Sequence, residues 1–292
     1  MTSYFENRTL KLPDDISLPF FAYGIFKPGQ VAYPKIKRFV DEYTGNVKIS
    51  YMMKHRDGVP ILIEGENEHF HTEGTIIKFR QDKQINAYGT ICKTELRKLY
   101  EWKTISINGE DVNVLFGVNP KKGSDYIEDQ KDSVCFDGKN DPLFKEAIEL
   151  IEENLKNSKH SWKAESFFEL QMNYILLWSA IERYSSIKYN KPKKKWNNEQ
   201  FAKEKEFKKG IKKFKDENHI PVYSTEDLEI HEFNADDAVE TLNYYYTFRC
   251  NIVHRGKSMY NDYKMLKTAA DELLEIFKNI LEDTFEEKYL SK

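Results

Sequence analysis

Between Val118 and Pro142 the hydrophobic rhythm of the chain changes, and that change constrains the fold more than any other feature. Upstream, PFFAYGIF, GNVKISYMM, VPILIEG, EGTIIKF, TISI and VNVLFGV are short runs of Val, Ile, Phe and Tyr, the pattern of strands. Turn signals KPG, DEYTG, RDG and INGED punctuate them. Downstream, in DPLFKEAIELIEENLKN, the apolar residues Leu143, Phe144, Ala147, Ile148, Ile151 and Leu155 recur at three- and four-residue steps, as on one face of a helix. The stretch between, NPKKGSDYIEDQKDSVCFDGKNDP, is polar and without period. The expectation is an α+β chain with a β-rich domain over 1–120, a linker over 121–140 and an all-α domain over 141–292.

In the second half, Asp141 is placed to cap a helix with Pro142 at its first position. SFFELQMNYILLWSAIERYSSI is apolar on most faces and reads as a central, buried helix. A third helix is expected over AVETLNYYYTFRCNIVHRG and a fourth over YKMLKTAADELLEIFKNILED. Between the second and third lies YNKPKKKWNNEQFAKEKEFKKGIKKFKDENHI. This lysine-rich stretch reads as a solvated connecting helix. Its alternative is a platform for a phosphate backbone, with Trp196, Phe201, Phe207 and Phe214 interleaved for packing or stacking. The interleaved acids Glu199, Glu204, Glu206 and Asp216 argue for the first, while the net charge of −3 argues neither way.

Within the third helix, YTFRCNIVHRGK sets Arg249 five positions before His254 among apolar neighbours. On a continuous helix they stand roughly 140° apart, close enough for long side chains to converge on one cleft. Arginine offers a donor fork matched to phosphate oxygens, and histidine moves protons near neutral pH. The pair suits cleavage of an RNA phosphodiester without metal or cofactor, the 2′-hydroxyl of the substrate being the nucleophile. The alternative is structural: an arginine–glutamate pair locking two helices, with His254 as a cap near Gly256.

The helical half resembles a HEPN domain, a helical bundle whose motif is arginine, four to six residues, then histidine. RCNIVH supplies it, with Cys250 where the family often has a polar residue and Asn251 one place later. LLWSAIERY places Trp178 and Glu182 where related domains carry an aromatic and an acid. The resemblance implies a homodimeric, metal-independent endoribonuclease that leaves a cyclic phosphate. Arg249 would hold phosphate and His254 transfer the proton, with Asn251 and Glu182 in support. Non-catalytic relatives serve as dimerisation modules.

A second stretch, FFAYGIFKPGQ, runs an apolar strand into Tyr-Gly and then Lys-Pro-Gly. A loop of this kind presents backbone N–H groups to a small anion. The first half resembles the gamma-glutamylcyclotransferase-like fold, a small mixed β-barrel that begins with Phe-x-Tyr-Gly-(Thr/Ser)-Leu. Tyr23, Gly24, Ile25 and Phe26 stand at those positions, with Ile25 in place of the hydroxyl residue. HRDGVPILI matches a further segment at Asp57, Gly58 and Pro60, and TELRKLYEW sets Glu95 ahead of Tyr100. The resemblance implies that Glu95 is a general acid/base, taking a proton from an α-amine as it attacks a γ-carbonyl to give 5-oxoproline. Glu101 is the fallback. The leading expectation for the whole chain is a HEPN-type ribonuclease with this half as a small-ligand sensor or regulator. The alternatives are a cyclotransferase using Glu95 with a non-catalytic helical dimerisation domain, and a binding protein without chemistry.

His69 and His71 share a strand face, but no third ligand accompanies them, so no metal is expected. Walker, GxSxG and dinucleotide motifs are absent from the sequence. Three cysteines without CxxC spacing fit a reducing compartment. The N-terminus has no basic-then-apolar leader, and no apolar run reaches spanning length. The expectation is a cytoplasmic protein with RNA and a small molecule as partners, of the kind that serves stress or phage defence.

Overall fold

The computed structural model describes residues 10–56, 59–66, 71–95, 99–118, 133–135, 137–157, 163–189, 194–225, 228–255 and 260–285. The chain is α+β and divides into two compact units, Met1–Gly138 and Lys139–Lys292. The first holds a mixed sheet of β1 (Phe20–Ala22), β2 (Val40–Ile49), β3 (Tyr51–Arg56), β4 (Val59–Glu66), β5 (His71–Phe79), β6 (Tyr100–Ile107), β7 (Glu110–Gly117) and β8 (Ser133–Cys135). Two helices accompany it, α1 (Tyr33–Lys37) and α2 (Gln84–Thr94).

Among the described residues the expected barrel is not closed, and the hydrogen-bonded path runs β2-β5-β1-β7-β4-β3, with β6 on β7 and β8 on β5. One edge of β7 is shared between two short parallel partners, β1 at Asn113 and Val114 and β4 at Phe116. Its other edge takes β6 in register from Tyr100↔Gly117 to Ile107↔Glu110. The β6–β7 connection is the two-residue turn that INGED announces. Asn108 and Gly109 have φ of 52° and 85°, the left-handed pair that matches the twist of a hairpin.

Within the stretch read as a linker, Ser133–Cys135 pair with His71–Glu73 as a parallel strand. Just beyond it, Gln30 donates to Asp137 and accepts from the Gly138 N–H. No periodicity marks a three-residue strand, so its polar flanks read as loop.

Helix α2 buries Ala87, Tyr88, Ile91 and Cys92 against the sheet, the i, i+1, i+4, i+5 pattern of one helical face. The Tyr88 ring meets Phe20, Phe79 and Trp102 edge-on at 5.3–6.5 Å. Its hydroxyl donates to the Leu18 carbonyl and accepts from Asn113. These contacts fix where α2 ends, and the functional reading depends on that end.

The second unit is helical: α3 (Glu146–Asn157), α4 (Ala164–Tyr189), α5 (Lys194–Ala202), α6 (Lys205–Lys213), α7 (Ala238–Arg255) and α8 (Tyr260–Phe285). A two-stranded ribbon, β9 (Val222–Tyr223) with β10 (Ile230–His231), precedes α7. Asp141 closes a turn rather than capping the helix, its Oδ1 accepting from the Leu143 N–H at 3.0 Å while Oδ2 accepts from Arg183. The helix proper begins four residues after Pro142, at Glu146. Helix α4 is central, with Phe167, Tyr174, Leu177, Trp178, Ile181 and Tyr184 buried. One flank stays open at Phe168 and Met172. The Tyr174 hydroxyl donates to the Tyr245 carbonyl and ties α4 to α7.

The lysine-rich stretch is no solvated connector. It forms two helices that bury Phe201, Phe207, Gly210 and Ile211, with the lysines of α6 outward. At Gly210 an added Cβ would lie 2.5 Å from Cγ1 of the buried Ile276. Gly210→Ala is therefore expected to destabilise the helical unit by about 1–3 kcal/mol, the cost of overpacking a filled core. Urea unfolding followed by amide exchange in α8 measures it.

Candidate functional site

The N-terminal site is built where α2 stops. Glu95 is the residue after its last turn: the backbone leaves the helix there (φ −85°, ψ 148°) while its N–H still donates to the Ile91 carbonyl. The extended backbone turns the side chain inward, and the residue is 9 % exposed. Glu95 lines a cavity of about 20 Å³ with Tyr23, Gly24, Ile25, Phe26, Pro60 and Tyr100. The five residues named from sequence for this pocket, Tyr23 to Phe26 and Glu95, are thus brought together. Asp57 and Gly58 lie outside the described residues.

The electrostatics follow from what the neighbours do. The two tyrosine hydroxyls beside Glu95 are engaged elsewhere: Tyr23 donates to the Leu115 carbonyl at 2.8 Å and Tyr100 to the Pro60 carbonyl at 2.8 Å. Among the described residues none hydrogen-bonds the Glu95 carboxyl. A carboxylate buried without donors is disfavoured, and its place at the negative end of a helix adds to that. Burial accordingly pushes the Glu95 carboxyl up from 4.5 to about 7, with the Lys35 charge pulling partly back. Burial likewise raises the Tyr23 hydroxyl, and a charged Glu95 adds to it.

The sequence gives little sign of Lys35. It sits on α1, whose only local signal is Pro34 in the first turn, and its ammonium lies 3.5 Å from the Thr94 hydroxyl. The fallback acid is placed otherwise: Glu101 is half-exposed on β6 and ion-paired with Lys103 at 3.2 Å.

The turn after β1 lines the same cavity. Its carbonyls at Gly24 and Ile25 accept from Lys27 and Ala32. Among the described residues no group accepts from the N–H of Gly24, Ile25 or Phe26. Consecutive donors of this kind hold small anions.

In the helical unit, α7 runs unbroken through Arg249 and His254. Arg249 Nη2 lies 3.6 Å from Glu182 Oε1 on α4, and its guanidinium lies over the Tyr246 ring at 5.7 Å. Tyr246 in turn meets Trp178 edge-on. The His254 side chain lies outside the described residues, as does His69. Asn251 is structural. Its Oδ1 accepts from the Thr225 N–H and hydroxyl at 3.1 and 2.9 Å, and its amide donates to the Tyr223 carbonyl at 2.9 Å. These bonds hold the β9–β10 ribbon on α7. Asn251→Leu should cost the helical unit about 2–3 kcal/mol, since it leaves buried backbone groups without partners. Thermal unfolding of the two proteins gives the difference.

A buried network nearby has no counterpart in the sequence reading. His219 Nε2 lies 2.9 Å from Glu272 Oε1, Tyr245 donates to Glu272 Oε2, and the imidazole stacks on Phe233 at 3.7 Å. Burial raises the Glu272 carboxyl, while Tyr245 and His219 oppose that rise. Its partners come from three separate segments, and no local spacing signals them.

No family model matches the chain, and no curated protein does. Among solved structures, an uncharacterised protein from Pyrococcus horikoshii is similar at 13 % identity and a TM-score of 0.30, over 37 % of this chain and 84 % of that one. Among the described residues no helix is long and apolar enough to cross a membrane.

Proposed function

We propose that the N-terminal unit is a gamma-glutamylcyclotransferase-like acid–base site that releases 5-oxoproline from small γ-glutamyl compounds. The observation that carries this reading is Glu95, a buried carboxyl without a hydrogen-bond partner among the described residues, in one cavity with a turn whose N–H groups have no acceptor among those residues either. With a value near 7 it can both take and return a proton at neutral pH. The N–H groups at Gly24 to Phe26 suit the substrate's α-carboxylate. Glu95 takes a proton from the α-amine as the nitrogen attacks the γ-carbonyl carbon. The ring C–N bond forms, the original γ-amide C–N bond breaks, and Glu95 returns the proton to the departing amine. A cavity of about 20 Å³ admits one water, so the Ile25–Phe26 turn has to shift for a γ-glutamyl group to enter. The test is 5-oxoproline release from γ-glutamyl amines by the full chain and by Glu95→Gln.

A second reading, a HEPN-type ribonuclease working as a homodimer, is supported by the helix that runs unbroken through Arg249 and His254. The Arg249 side chain keeps about 20 % of its exposure beside its long pair with Glu182, so part of its fork remains open to phosphate. The apolar flank at Phe168 and Met172, 55 % and 71 % exposed, suits a second copy of the chain.

A further inference from the structure

The outward face of α2 borders a groove of about 550 Å³, separate from the Glu95 cavity. Four cations line it, Arg38, Arg80, Lys83 and Lys93, and among the described residues no acid does. They come from three places: Arg38 follows α1, Arg80 and Lys83 lie on the connection from β5 to α2, and Lys93 is on α2 itself. The helix adds Asn86, Gly89 and Thr90, which with Lys93 form the i, i+3, i+4, i+7 stripe opposite its buried face.

The arrangement is held in place rather than left to loose side chains. Arg80 donates to the Arg38 carbonyl, and the Arg80 N–H to the Phe39 carbonyl at 3.0 Å, which ties the two arginine-bearing segments together. The Arg38 guanidinium lies over the Phe39 ring at 4.7 Å. Asp82, on the rim, pairs with Lys83 at 2.8 Å but is itself 68 % exposed, so that pair is weak and readily exchanged. Apolar contact is offered by Ile85, which is 58 % exposed here. Gly89 leaves the middle of the stripe open: an added Cβ would meet nothing within 4 Å.

The cations around this concavity outnumber the one acid on its rim, and a multiply charged anion matches that excess better than a single carboxylate. Two arginine forks match phosphate oxygens, and the volume lies in the range of small-ligand sites. We propose that this groove binds a small phosphorylated ligand, its phosphates on Arg38, Arg80, Lys83 and Lys93 and its body against Ile85. The proposal is independent of the Glu95 reading.

Titration calorimetry on the full chain in EDTA, with ATP and with pyrophosphate as probes, tests it. Saturable binding is expected, weakened about tenfold by the pair Lys83→Ala and Lys93→Ala. Gly89→Leu should abolish it by filling the groove, without harm to the helix, because leucine is the better helix former and its Cβ would meet nothing within 4 Å. Circular dichroism melting confirms that both variants are folded. Absence of binding by either probe at millimolar concentration overturns the proposal, as does binding that both variants leave unchanged. Retention of a short single-stranded oligonucleotide by a chain that ignores ATP and pyrophosphate also overturns it, in favour of a nucleic-acid surface.

Discussion

Glu95→Gln is expected to abolish 5-oxoproline release while making the N-terminal unit more stable. The two effects share one cause. Removal of a general acid–base group costs about 10²–10⁴ in rate, and glutamine keeps the shape of the side chain but cannot carry the proton. The stability effect follows from the raised carboxyl. Between 4.5 and about 7 the folded chain holds a proton on Glu95 that the unfolded chain has released. Unfolding therefore releases a proton in that window, and raising the pH favours it. The stabilising contribution of this group is complete below pH 4.5 and lost as pH passes about 7. The rise from 4.5 to about 7 corresponds to about 3 kcal/mol.

Glu95→Gln should thus be about 3 kcal/mol more stable than wild type at pH 8 and nearly equal to it at pH 4.5. Urea unfolding of the full chain, followed by amide exchange in β5 and β7, reads the N-terminal unit alone. Activity runs the other way: the base must be ionised, so kcat/KM of the wild type should climb with pH through about 7. A variant that loses stability at pH 8, or that keeps releasing 5-oxoproline, would refute the assignment of Glu95.

Legibility in the sequence tracks how local each signal is. The Asn108–Gly109 turn and the helix through Arg249 are readable because turn and periodicity are short-range properties. Glu95 is readable only together with Tyr23 to Phe26, through the order of motifs; its burial depends on α2 packing, which no single stretch encodes. What stays hidden is non-local. The division of the β7 edge between β1 and β4 joins residues about 50 to 90 positions apart in sequence. The same holds for Ser133–Cys135 on β5, for the His219–Glu272 network, and for the meeting of Arg38 with Lys93 across one groove. The lysine-rich stretch misleads for a related reason. Its charges are outward as expected, but Phe201, Phe207 and Ile211 make enough of an apolar stripe to bind both helices to the bundle.

The second large effect concerns RNA. If the helical unit cleaves a phosphodiester, end-labelled RNA in EDTA should be cut by the full chain and left with cyclic-phosphate ends. Arg249→Ala and His254→Ala should each lower the rate by about 10²-fold or more, through lost stabilisation of phosphate charge and lost proton transfer. The structure separates these residues from their neighbour: Asn251 is tied to Tyr223 and Thr225, so Asn251→Leu should lose activity only in step with folded protein. Glu182 supplies the finer test. Its carboxylate lies 3.6 Å from the Arg249 guanidinium, an attraction that a bound phosphate would have to overcome. Glu182→Gln should then tighten RNA binding, seen as a lower KM at unchanged kcat, if Arg249 serves phosphate. If Arg249 serves only to join α4 to α7, the same variant should reduce stability and leave RNA retention unaltered. Cleavage unaffected by Arg249→Ala and His254→Ala would end the ribonuclease reading and leave the helical unit as a structural partner to the Glu95 chemistry.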